Sequence, residues 1–232
     1  ADQAAVFEHY WSPIEEMLQE KRTVGRSRLG ELTAFLRHYM AYLFGILVNE
    51  EHVYSRFRDR GQQMDTEAFI EEIKTLKRFA GYYDRMLRPE KEPDKALREQ
   101  LYRLNTFEFA TAYPFLLYAY DAIENDQLSV NDLIQGLKTL EAYMVRRYLA
   151  RDTVGYINRM FPALAREVDL SDFSSSLRRA IATKNYPTDE RVRQALEANE
   201  LYKGREREKL VLVLESINRY LSQGSGGYTV LD

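Results

Sequence analysis

The chain has 232 residues, 33 Lys/Arg against 36 Asp/Glu, a formal net charge of −3, and 45% hydrophobic and 30% charged residues. This is ordinary for a folded chain of one large or two small domains, and the near-neutral total does not mark the whole surface as a polyanion binder. Cysteine is absent, which excludes disulfides, thiolate nucleophiles and cysteine-held metals and fits an expected cytoplasmic location.

Few glycines and prolines and many Leu, Ala, Glu and Arg favour helix. The opening, ADQAAVFEHYW, lacks the basic and apolar segments of a secretory signal. Val6, Tyr10, Trp11, Ile14, Met17 and Leu18 share one face of a first predicted helix. A second, more apolar helix covers 29–48. Its densest apolar run, 40–48, is too short to cross a bilayer and contains Gly45, so no membrane partner is expected. A third helix covers 51–60, with Gly61 as its expected C-cap.

Residues 66–87 repeat apolar side chains at Phe69, Ile70, Ile73, Leu76, Phe79 and Tyr83, a long amphipathic helix that ends at Arg88-Pro89. A charged loop, 89–93, precedes a short helix at 96–104. Pro114 opens an aromatic helix, PFLLYAYDAIE, at a position where proline is tolerated. Ser129 caps the next helix, which runs to about Arg151. Asp152-Thr153 is expected to cap 154–164, and Ser171-Asp172 to cap 173–182. Pro187–Glu190 is a turn and helix start, and the last helix spans about 205–221. No strand alternation of useful length and no solenoid repeat is visible. The fold class expected is therefore all-α, an irregular bundle of about ten helices over 1–223, with room for a subdomain break near 89–93 or near 126. The tail GSGGYTVLD reads as a flexible linker or an appended scar.

The polar residues give little sign of catalysis. His9, His38 and His52 are the only histidines and form no HExxH pair, so they read as surface or core residues and not as zinc ligands. Glu15-Glu16, Glu71-Glu72 and Asp189-Glu190 are sequence neighbours, which on a helix do not face one another. There is no phosphate-binding glycine loop and no GxSxG. The 29 aromatics cluster at Tyr39, Tyr42 and Phe44 and from Phe107 to Tyr120, a spacing that suits a core with hydroxyls at its rim.

Cations are unevenly placed. Residues 141–220 hold 15 Lys/Arg against 12 Asp/Glu, whereas 1–140 hold 18 against 23. Arg146, Arg147, Arg151, Arg178, Arg179 and Lys184 are the candidate phosphate contacts. The competing reading pairs the arginines of this region with Glu141, Asp152, Glu167, Asp169 and Glu206 in bridges between helices.

Several pieces in order, FEHYWSPIEEML (7–18), LEAYMVRR (140–147), GYINRMF (155–161), Pro-Thr-Asp-Glu (187–190), Leu201-Tyr202 and EREKLVLVLESINRYL (206–221), resemble the helical region of GmrSD-type, modification-dependent restriction endonucleases. In that family an amino-terminal ParB-like domain binds and hydrolyses nucleotide. A carboxy-terminal HNH domain cuts DNA with a divalent metal, and some members attack phage DNA bearing modified cytosines. The resemblance covers 7–223 and implies a part without either chemical end. Arg60–Met64 (RGQQM) is similar to that nucleotide domain's Asp-Gly-Gln-Gln-Arg but lacks its flanking Asp and Arg, and YTVLD (228–232) contains no HNH histidine.

The expectation is thus a non-catalytic module of a phage-defence endonuclease that links the nucleotide-binding and nuclease domains, contacts DNA and holds no cofactor itself. Nucleotide and divalent metal would belong to the other domains. The alternative is a protein-interaction or oligomerisation module that meets other domains of the parent protein or another protomer and has no DNA affinity. A third reading is a small-molecule pocket lined by the aromatics from Tyr113 to Tyr120.

Overall fold

The computed structural model describes residues 3–18, 21–24, 27–153, 155–199 and 207–222. The first helical stretch is α1 (Gln3–Val6), a π-helical turn (Phe7–Trp11) and α2 (Ser12–Met17), with Pro13 in the first turn of α2. A short antiparallel ribbon follows, β1 (Lys21–Val24) and β2 (Ser27–Gly30), in register Lys21 to Gly30. Part of it occupies the start of the second predicted helix. Its four-residue strands are too short for an alternation pattern to announce them.

The remaining described elements are helical, as the composition implies. Helix α3 (Glu31–Phe44) stops four residues earlier than expected because Gly45 adopts φ 72°, a left-handed C-cap. In α4 (Val53–Gln62), Gly61 lies inside the helix and Gln63 is the cap, which corrects the expected role of Gly61. A Cβ at Gly61 would sit 3.0 Å from the Phe69 ring, so that glycine serves close approach.

Asp65 caps α5 (Thr66–Leu87) through the Ala68 N–H, and Asp94 caps α6 (Lys95–Thr106) through the Leu97 N–H. Between them, Pro89–Lys91 forms a 3-10 turn in place of the expected loop. Pro114 sits in the first turn of α7 (Tyr113–Glu124), and Ser129 caps α8 (Val130–Leu149).

Helix α9 (Ile157–Leu164) begins three residues later than expected, because Asp152 does not cap it and is tied elsewhere; Val154 lies outside the described residues. Asp169, not Ser171, opens the 3-10 turn Leu170–Asp172 that leads into α10 (Phe173–Ala182). Thr188 caps α11 (Asp189–Ala198) through the Arg191 N–H, and α12 (Arg207–Ser222) is last. The expected Leu201-Tyr202 closure and the tail fall outside the described residues.

Helix α7 is the central element: Phe115, Leu116, Leu117, Ala119 and Tyr120 are all buried, each large side chain contributing about 1.5–3 kcal/mol on burial. It packs against α3, α5 and α9, while α8 packs against α6, α10 and α11. One cluster of buried side chains runs from Ile14 to Ile181 and includes residues on both sides of 89–93 and of 126.

The aromatics fill that cluster. Tyr83 meets Phe35 at 5.2 Å and Tyr113 edge-on at 5.3 Å, and Tyr82 stacks on Tyr120 at 5.6 Å. Tyr120 donates to the buried Glu92 and Tyr113 to Asn105, and the Tyr83 hydroxyl meets His38, whereas the buried Tyr82 hydroxyl has no hydrogen-bond partner among the described residues. Tyr113, Phe115 and Tyr120 therefore have their faces against other side chains.

Candidate functional site

Three of the quoted pieces, 140–147, 155–161 and 187–190, converge. Tyr143, Arg146 and Arg147 project from α8, Tyr156 and Phe161 lie at and within α9, and Pro187 and Asp189 open α11. Arg147 is 5% exposed. Its guanidinium donates to Asp152 at 3.1 Å and to the Thr153 carbonyl at 2.7 Å, and lies over the rings of Tyr143 and Tyr156. Arg191, which the sequence did not single out, also pairs with Asp152. Asp152 thus joins the end of α8 to α11 through two arginines.

Arg146 donates through Nε to the Pro187 carbonyl at 2.8 Å, pairs with Asp189, and lies 5.2 Å from the centre of the Tyr186 ring. Tyr143 stacks on Tyr186 and donates its hydroxyl to the Lys184 carbonyl at 2.7 Å. Burial pushes the Tyr143 phenol above its ordinary pKa, against a smaller opposing pull from Arg147. Phe161 meets Phe109 edge-on at 4.9 Å, which fastens the junction to the core below α7.

The six cations expected to meet DNA have different fates. Arg147, one of the expected phosphate contacts, lies inside. Its periodicity explains why: Leu133, Leu137, Leu140, Met144 and Arg147 fall on one helical face, and all five are buried. Arg146 is about three-quarters covered and committed to the 187–189 turn. Lys184 pairs with Glu167 at 2.7 Å and Arg179 with Asp172 at 3.0 Å. Hydrogen bonds from Ser175 and then Arg179 hold the Asp172 carboxyl below the usual range.

Arg151 and Arg178 are exposed and make no ion pair among the described residues. Of the expected pairing partners, Asp152 and Glu167 act as bridges. Glu141 instead holds Arg103 and Gln100, Asp169 starts the 3-10 turn, and Glu206 lies outside the described residues.

Beside the junction, α8 and α10 enclose a shallow groove of about 350 Å³. Gln135, Lys138, Thr139 and Ala142 line it from α8, and Arg178, Ile181 and Ala182 from α10, with Tyr186 at one end. The helices approach closely because position 136 is glycine: a Cβ there would fall 2.6 Å from the Phe173 ring. Lys138 and Arg178 are both exposed, and no carboxylate lines the groove. The sequence reading missed Lys138. Its only signal was a lone cation flanked by the buried positions Leu137 and Leu140 on the polar side of α8.

The histidines are apart from this region. His38 is buried against Tyr83 at 3.0 Å, and burial drives its pKa down to about 3, so it is neutral. Exposed His9 meets the Ala5 carbonyl, and His52 is exposed. Among the described residues no group of three His, Asp or Glu is arranged to hold a metal, and no helix is long and apolar enough to cross a membrane. No protein-family model matches the chain, and neither a curated protein nor a solved structure does.

Proposed function

We propose that this chain is a non-catalytic helical module of a GmrSD-type, DNA-cutting defence protein, joining a nucleotide-binding domain to a nuclease domain and contacting DNA on its α8–α10 side. The observation that supports this reading is the junction itself. Motif pieces about forty residues apart in sequence meet in one interlocked unit: Arg146 reaches Pro187 and Asp189, and Arg147 and Arg191 share Asp152. Such a motif fixes helices relative to one another and leaves chemistry to other domains. Nucleotide and divalent metal are assigned to those domains, and a cytoplasmic setting belongs to the same reading.

A labelled 20-base-pair duplex in fluorescence anisotropy, with and without modified cytosines, tests the DNA contact. We expect binding whose logarithm falls linearly with log salt, at a slope of roughly −0.9 per phosphate neutralised. Absence of binding at low salt would remove DNA from the reading. The rival, a protein-interaction module, draws on the exposed apolar positions Leu214, Ile217 and Leu221 along α12. It predicts self-association sensitive to Ile217→Asp and indifferent to the α8–α10 cations.

A further inference from the structure

We infer that the groove between α8 and α10 seats a nucleic-acid backbone, with phosphates held at Lys138 and Arg178; this rests on the DNA-contacting reading above. Most cations on this side are already satisfied: Arg146 by Asp189, Arg147 by Asp152, Arg179 by Asp172 and Lys184 by Glu167. A phosphate at any of these would have to displace a carboxylate. Lys138 and Arg178 have no such competitor among the described residues, and they line the same groove from neighbouring helices. An arginine fork and a lysine point charge on facing walls suit two phosphates of one strand.

The walls agree with that occupant. Ala142 and Ala182 keep the relief low, so a strand can come close, and Gln135 offers a side-chain amide. The apolar floor is small, since Ile181 is only 1% exposed. A docked peptide helix draws its affinity from deep pockets for apolar anchors, which this floor lacks, whereas a phosphodiester strand needs cations and little apolar contact. Tyr186 is braced by Tyr143 and Arg146, so the end of the groove is fixed before any ligand arrives.

The test is anisotropy of the full chain with the labelled duplex over a salt series, comparing wild type, Lys138→Glu/Arg178→Glu, and, as a control on α4, Arg56→Glu/Arg58→Glu. Both pairs are exposed, and thermal melting confirms folding of each variant. We expect Lys138→Glu/Arg178→Glu to weaken binding at least about tenfold and to flatten the salt slope by roughly two phosphate contacts, while the control pair changes the dissociation constant less than about twofold. If wild type binds and Lys138→Glu/Arg178→Glu binds equally well, the groove assignment is overturned and the broader DNA-contacting reading survives. If wild type does not bind, both fall. A polyglutamate peptide that displaces the duplex at equal charge would also overturn the assignment, because it would make the occupant an acidic protein segment.

Discussion

Arg147 and Arg178 are the same side chain in opposite surroundings. The first is 5% exposed, and its donors are distributed over Asp152, the Thr153 carbonyl and the Tyr143 hydroxyl. The second is exposed and without an ion pair among the described residues. Removing one partner of a buried pair leaves the other desolvated and uncompensated, at a cost of about 3–5 kcal/mol. Arg191 remains on Asp152 and softens that loss, so Arg147→Ala is expected to destabilise the chain by about 2–4 kcal/mol in urea unfolding. A surface change such as Arg178→Ala stays within about 0.5 kcal/mol. A DNA-binding defect in an Arg147 variant would therefore reflect a disturbed fold. Equal and small effects at both sites would contradict the buried role of Arg147.

At the scale of elements, Gly136 decides how α8 and α10 meet. Glycine inside a helix costs about 1 kcal/mol relative to alanine, so Gly136→Ala would stabilise an unencumbered helix. Here the new Cβ would fall 2.6 Å from Phe173 and 3.1 Å from Leu177, and Phe173 cannot easily retreat because its ring is stacked on Phe115. The overpacking penalty of about 1–3 kcal/mol should win, giving net destabilisation; a rise in melting temperature for Gly136→Ala would show that the helices can move apart.

The sequence announced α5, α7 and α8 well, since apolar spacing, Pro114 and Ser129 are local signals. It could not announce Gly136, whose reason lies on another helix. Asp152 looked like a helix cap because Asp next to Thr is a local cap pattern, whereas its partners Arg147 and Arg191 arrive from two elements. The site was legible to the same extent. Arg146, Arg147 and Asp189 were quoted in the motif, but which arginines face water depends on tertiary pairing, and Lys138 gained its meaning only when α10 was placed beside it.

For the whole molecule, the linking role proposed above requires that the chain move as one body or have two discrete arrangements. The amino-terminal segment is fastened at several points. Leu32 N–H donates to the Leu18 carbonyl across the ribbon, and Lys77 Nζ donates to the His9 carbonyl. Trp11 packs against Phe57 of α4 at 6.2 Å. From Ile14 the buried cluster then continues to Ile181 on α10. A core shared in this way predicts cooperative unfolding, and the single tryptophan provides the check. Trp11 fluorescence reports the amino-terminal end, and far-UV circular dichroism reports all helices together. In urea the two transitions should coincide in midpoint and slope. A Trp11 transition at distinctly lower urea would mean that the first helices open independently, and the proposed linking role would then require a hinge between α2 and α3 in place of rigid transmission.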